Sequence, residues 1–261
     1  MKKIKKGDIV GRLSYGKDIF FIIDKVIKLP PHTSHNKEIA LLKGLTMRIT
    51  ADCPLDDLEL IDKRIVHQNI TIAENRFLAH LNNCTNRIKK YYNSGKVLHL
   101  DGDLRYSQKS IKYYRELGIN AIVRNIAENK QPFLIQNLLN RFTPDILVIT
   151  GHDAYYKKKG NFDNINAYMN SSNFIDTVIE ARKYERAHDK LIIIAGACGS
   201  YYEALIKNGA NFASSPKRIN IHALDPAIVA SSIALSDKNK TIDLINIQKD
   251  RIYPNLDLFY A

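Results

Sequence analysis

Ile146-Leu147-Val148-Ile149-Thr150-Gly151-His152-Asp153 and Leu191-Ile192-Ile193-Ile194-Ala195-Gly196-Ala197-Cys198-Gly199-Ser200 decide the fold. Each opens with an unbroken aliphatic run, rich in β-branched residues and too short for a typical helix. That is the pattern of a strand buried on both faces of a parallel sheet. Each run then breaks at a glycine and ends on a reactive side chain. In open α/β sheets the carboxyl ends of the strands line the ligand crevice. An imidazole and a thiol are therefore expected at one edge of one sheet.

Outward from these two segments, strand and helix alternate from Lys96 onward. Strands are expected at Val97–Asp101, Asn120–Val123, Ile146–Thr150, Leu191–Ala195 and near Ile219–Ala223. Between them, Ile135, Leu138, Leu139 and Phe142 fall at helical spacing and Pro144 stops the helix. This alternation predicts a doubly wound parallel sheet with right-handed crossovers over residues 96–261. The first 55 residues read differently. Short apolar runs (Ile9-Val10, Ile19–Ile23, Ile39–Leu42, Met47–Ile49) are broken at Tyr15-Gly16-Lys17-Asp18, Leu29-Pro30-Pro31 and Lys43-Gly44, which predicts a small all-β SH3-like barrel. Residues 56–95 form the expected helical linker. There Phe77, Leu81, Cys84, Ile88 and Tyr91 share one face, His80 packs beside them, and Asn93-Ser94-Gly95 ends the segment.

The 261 residues, 45% hydrophobic, can bury a substantial core. No apolar stretch reaches the roughly 18 residues of a membrane span, and the lysine-rich start has no signal-like core behind it, so cytoplasmic synthesis without a membrane partner is expected. Cys53, Cys84 and Cys198 are an odd count without short spacing, which fits neither a disulfide framework nor a zinc knuckle. The net charge of +12 divides as +7 over residues 1–94 and +5 over the remainder. Spread in this way, it does not make nucleic acid the expected partner.

A thiol and an imidazole at neighbouring strand ends are the parts of a cysteine peptidase, with Cys198 as nucleophile and His152 as base. Ser200-Tyr201-Tyr202-Glu203 has capping-box spacing, which would set the sulfur just ahead of a helix N-terminus and favour the thiolate. The glycines at 151, 196 and 199 allow close backbone approach, so amides of Asp153, Cys198 and Gly199 are the oxyanion-hole candidates. At the first strand end, Leu98-His99-Leu100-Asp101-Gly102-Asp103 presents two carboxylates that could receive an Arg or Lys side chain of a substrate. A solvated turn or a Mg²⁺ site are the alternatives for such a motif, although no Gly-rich phosphate loop accompanies it. His99 is expected to point into the sheet. No metal or cofactor is expected. The segment from Ala154 to Ser171 is long enough for a lid or binding loop, and Lys157-Lys158-Lys159 within it equally suits a solvated surface.

Several of these motifs, in register, resemble the YabG family of sporulation proteases. The likeness is carried by Gly7-Asp8-Ile9-Val10 with Ser14-Tyr15, His99 to Asp103, Pro144 to Val148, Thr150 to Asp153, Ala195 to Cys198, and Gly209-Ala210-Asn211-Phe212-Ala213-Ser214-Ser215-Pro216. The resemblance implies a peptidase of the sporulating cell that trims spore coat and related proteins, associated with the assembling coat. The two strand ends are also similar, more remotely, to the caspase and clostripain group, in which His and Cys each follow an apolar strand. That likeness implies a caspase-like catalytic domain and supports Asp101 and Asp103 as a pocket for basic residues. Where the group has Gly after its His, this chain has Gly151 before His152 and Asp153 after it.

Two other readings remain open. One is an amidotransferase-like hydrolase in which His222 is the base for Cys198. The other is a non-enzymatic protein that uses its basic β module for binding.

Overall fold

The computed structural model describes residues 4–28, 38–46, 49–72, 75, 95–214 and 221–236. The chain divides into two compact units, Met1–Arg76 and Phe77–Ala261. The helical stripe expected from Phe77 to Tyr91, with His80 and Cys84, lies outside the described residues.

The first unit is a five-stranded antiparallel sheet made of β1 (Ile9–Arg12), β2 (Phe20–Lys28), β3 (Glu38–Gly44), β4 (Thr50–Pro54) and β5 (Leu58–Leu60), in the order β4-β3-β2-β1-β5. Alternate residues turn inward, so Val10, Phe21, Ile23, Ala40, Leu42, Cys53 and Leu58 make a common core. The expected β module is thus present as a sheet. Pairing that would close it into a barrel is not recorded among the described residues. A helix, α1, opens at residue 63 and is described through residue 72.

The second unit holds five parallel strands, β6 (Val97–Asp101), β7 (Ala121–Asn125), β8 (Ile146–Thr150), β9 (Ile192–Ala195) and β10 (Phe212–Ala213), in the order β10-β9-β8-β6-β7. The crossovers are α2 (Leu104–Glu116), α3 (Gln131–Phe142), α4 (Ser171–Tyr184) and α5 (Tyr202–Lys207), and α6 (Asp225–Ala234) follows β10. Strand residues divide by parity between two cores. Val97, Ile146, Val148 and Ile194 pack with Tyr113 and Tyr114 of α2 and with α6, while Leu98, Leu100, Leu147, Ile149 and Ile193 pack with α3, α4 and α5. The sheet is therefore covered on both faces, which explains why its strands read as continuous aliphatic runs. Each such side chain, fully buried, stabilises the fold by about 1.5–3 kcal/mol relative to exposure.

The helix foreseen from Ile135 to Phe142 is α3, with Pro132 in its first turn and Thr143 ending it in a left-handed conformation. Of the strand expected near Ile219–Ala223, residues 219 and 220 lie outside the described residues. The strand that follows β9 is Phe212–Ala213, and residues 221–224 form the turn that enters α6, burying Ile221 and Leu224 in the core that helix shares. Ala223 is buried as well, and residues 221–224 join no strand pairing among the described residues.

Candidate active site

Strand order reverses between β6 and β8, and His152 and Asp103 leave the carboxyl ends of these two strands. That reversal is where an open α/β sheet offers its crevice. Across it, His152 Nε2 donates to Asp103 Oδ2 at 2.8 Å. Asp103 serves twice, because its Oδ1 accepts from the amides of Arg105 and Tyr106 and so caps α2. A carboxylate at a helix N-terminus is favoured by the unpaired amides there. The His152 imidazole is thus oriented by a group that is itself fixed by a helix start.

Beneath Asp103 lies a buried polar chain. Asp101 is fully buried, and its Oδ1 accepts the Asp103 amide at 2.8 Å while its Oδ2 lies 3.8 Å from His99 Nε2. His99 does point into the sheet, with Nδ1 3.0 Å from the Tyr114 hydroxyl. Burial, and then the Asp101 charge, push the Tyr114 hydroxyl well above its ordinary pKa. Asp101 therefore shapes the rim through Asp103, whose side chain is 23% exposed.

Glu128 was not anticipated from the sequence. Its Oε1 accepts the His152 amide at 2.7 Å. A Cβ at Gly102 or at Gly151 would fall 2.1–2.2 Å from that same oxygen. Two glycines immediately after β6 and β8 thus make the slot in which Glu128 lies, and their matching positions were the available signal.

Cys198 follows β9, the neighbour of β8, and the two loops are tied together. Thr150 Oγ1 donates to the Gly196 carbonyl at 2.9 Å, and the Gly196 amide donates to the Ile149 carbonyl at 2.9 Å. Gly196 (φ +102°) and Gly199 (φ +69°) flank Cys198 in left-handed conformations that suit glycine. A Cβ on Gly199 would lie 3.4 Å from the Tyr155 nitrogen, so the Cys198 loop packs on the segment that follows His152. Cys198 is 4% exposed; its Sγ accepts the Ile221 amide at 3.3 Å and faces the Ile221 carbonyl at 3.6 Å. His222 Nδ1 accepts from the Leu224 amide, and the His222 amide donates to Asp225.

The capping box is not formed. Helix α5 begins at Tyr202 without a side-chain cap, and Ser200 Oγ instead accepts the Ala197 amide and donates to Asp153 Oδ2, each at 2.8 Å. The hydroxyl is drawn back toward the strand because a buried carboxylate lies there, a partner 47 residues away that local spacing cannot encode. The segment after His152 also has more structure than its composition suggests. Tyr155 bridges Tyr168, their rings and that of Phe162 cluster at 4.6–5.3 Å, and Tyr168 stacks on Tyr201 at 5.0 Å. The hydroxyls of Tyr155, Tyr168 and Tyr201 donate to carbonyls within residues 160–163. Lys157–Lys159 form an exposed turn.

Among the described residues, no cluster of three or more His, Cys, Asp or Glu side chains is arranged to hold a metal ion, and no helix is long and apolar enough to cross a membrane. Comparison with known proteins supplies what geometry leaves open. The model of the YabG peptidase family U57 matches residues 5–254. The chain belongs to the YabG peptidase family. It is 36% identical, over 94% of its own length and 90% of the relative's, to the sporulation-specific protease YabG of Bacillus subtilis (strain 168). No solved structure matches the chain. Membership of this family makes the chain a peptidase.

Proposed function

We propose that the chain is a cysteine endopeptidase of the sporulating cell, with Cys198 as nucleophile and His152 as base, which cleaves spore coat and related proteins after Arg or Lys. The observation that carries this reading is the His152–Asp103 pair at the strand-order reversal, with the Cys198 loop leaving the next strand. A His that gives its Nε2 proton to a carboxylate keeps its basic lone pair on Nδ1, which is the arrangement a general base needs. The amides of Asp153, Cys198 and Gly199 lie on the two loops that leave β8 and β9, and they are the proposed donors to the oxyanion.

The catalytic cycle follows from those roles. His152 Nδ1 takes the thiol proton as Cys198 Sγ attacks the scissile carbonyl. The protonated imidazole then gives that proton to the leaving amine, and water, deprotonated by the same nitrogen, releases the acyl group. In the described state the sulfur is turned to Ile221, so attack requires a rotation of the Cys198 side chain away from that backbone. Substrate in the crevice is expected to favour the rotated state.

The preference for basic residues rests on the acidic rim formed by Asp103 and Glu128 with Asp101 buried below it. Within the second unit, residues 96–261 are read as a caspase-like domain because the proposed base and nucleophile follow the third and fourth of its strands. The first unit is read as an SH3-like module.

The test is cleavage of coat-protein substrates and of peptides with Arg, Lys or Ala before the cut. Cys198→Ala and His152→Ala are each expected to lower kcat more than about 1,000-fold with folding retained. Cleavage that survives Cys198→Ala would remove the thiol from the mechanism. The amidotransferase-like reading is favoured by one observation, that the sulfur bonds the backbone beside His222. It predicts the reverse order of damage, with His222→Ala inactive and His152→Ala active.

A further inference from the structure

Asp153 is a buried carboxylate for which the chemistry above has no use, and its side chain joins the two loops of the site. Its Oδ1 accepts the amides of Ala154 at 2.9 Å and Asn170 at 2.8 Å, so one oxygen pins both ends of the segment that follows His152. Asn170 in turn donates through Nδ2 to the His152 carbonyl at 2.9 Å. The other oxygen, Oδ2, accepts the hydroxyls of Ser171 and Ser200.

Bond directions in this cluster are forced. Each serine gives its single proton to Asp153, so each hydroxyl oxygen has only lone pairs left for its other partner. Those partners are amides on either side of the nucleophile. Ser200 Oγ accepts Ala197 N–H, and Ser171 Oγ accepts Tyr201 N–H, both at 2.8 Å. Two parallel relays, amide to hydroxyl to carboxylate, therefore fix both ends of residues 197–201 to the residue next to His152. An amide group at position 153 would have the same volume and the wrong polarity. Its two N–H donors would face hydroxyl protons, and at least one serine would have to turn and release its backbone amide.

We propose that Asp153 is a positioning residue for the peptidase reaction, acting through Ser171 and Ser200 to hold the Cys198 segment in register with the His152 loop. The inference rests on the assignment of Cys198 and His152 made above, and it goes beyond the backbone role expected of Asp153 from the sequence. A nucleophile displaced by about 1 Å loses on the order of 100-fold in rate. Substrate affinity, set by the acidic rim, is left largely alone.

The experiment uses the full chain and a peptide with Arg before the cut, with kcat expressed per Cys198 titrated by iodoacetamide and mapped by mass. Asp153→Asn should lower kcat about 100-fold with KM within about threefold, and should change the alkylation rate of Cys198 but leave that of Cys53 as it was. Ser200→Ala and Ser171→Ala should each lower kcat about tenfold, and Asp153→Asn combined with Ser200→Ala should be no worse than Asp153→Asn alone, because Asp153→Asn already breaks the relay that runs through Ser200. Wild-type kcat per titrated site in Asp153→Asn, alongside an inactive Cys198→Ala, would overturn the positioning role while the peptidase reading stands. If Asp153→Asn does not fold, Ser200→Ala decides, and undiminished kcat there overturns the proposal. Cleavage surviving Cys198→Ala overturns the assignment of the nucleophile and the proposal together.

Discussion

Asp57 in the antiparallel unit and Asp153 in the parallel one each accept four hydrogen bonds, and their carboxyls are driven in opposite directions. Asp57 receives the amide and hydroxyl of Ser14 at 2.7 Å each, Arg12 Nε at 3.4 Å and the Cys53 thiol at 3.3 Å. The Ser14 bonds dominate and hold its pKa down at about 2. Asp153 is 9% exposed, and there burial dominates over the bonds from Ser171, Asn170, Ser200 and Ala154, so its carboxyl is pushed up. The Asp57 side chain keeps 21% of its surface in water. A hydrogen-bond count alone does not set the charge of a carboxylate; the surrounding solvent decides whether the same bonds win. The partially exposed cluster fastens residues 12–14 to the start of β5, whereas the buried one fastens the loop after β8 to the loop after β9.

Removing each acceptor should separate the two cases most widely. Asp153→Ala strands two hydroxyls and two amides in a dry site and is expected to cost about 3 kcal/mol or more in urea unfolding. Asp57→Ala, whose donors can reach water, should cost clearly less. Equal losses would break the contrast.

Glycine substitutions sharpen it at the next level. Gly151→Ala drives a Cβ to 2.2 Å from Glu128 Oε1 and should displace the carboxylate that holds the His152 amide, lowering activity about tenfold. Glu128→Ala in the same chain should recover part of that loss. Gly16→Ala in the first unit meets nothing within 4 Å, and its φ of +61° alone should cost about 1 kcal/mol of stability without a change in kcat. A Gly151→Ala enzyme of full activity would show that the Glu128 contact is dispensable.

The smallest effect is in pH dependence, and its sign differs between the two aspartates. With a folded pKa below the ordinary 3.8, Asp57 contributes stability above that value and loses it as pH falls toward about 2. With a folded pKa above 3.8, Asp153 favours the fold most at pH below that value, and its contribution declines as pH rises through its folded pKa. Asp57→Asn should therefore flatten the acid limb of a Tm profile, and Asp153→Asn should not. Cys53 adds an alkaline limb, because burial and then its bond to Asp57 push the thiol to about 11, and its contribution is lost as pH rises from about 9 toward that value. Acid limbs of the same slope in both aspartate variants would remove the distinction.

The sequence made the parallel sheet legible because strands covered on both faces cannot hide their aliphatic runs, and α3 because Pro132 and Pro144 bracket a clean stripe. The two-residue strand β10 carried too little pattern to compete with the longer alternation Ile219-Asn220-Ile221-His222-Ala223. The placement of His152 and Cys198 after neighbouring strands was legible from the two aliphatic runs. Glu128, Ser171 and Asp153 were not, because their roles depend on bonds spanning 17–47 residues of chain. Ser200 was legible only as a cap, a local motif that a distant carboxylate overrides.

The stacked rings of Tyr168 and Tyr201 have a practical consequence. The sequence contains no tryptophan, so the chain's native emission comes from tyrosine alone. Tyr201 immediately precedes α5 in the loop that carries Cys198, and Tyr168 lies in the segment after His152, which makes this sandwich a built-in optical gauge of their mutual placement. A Tyr201→Trp chain would carry one indole, against one phenol, and its brightness would follow the joining and parting of the two loops during turnover without an attached dye.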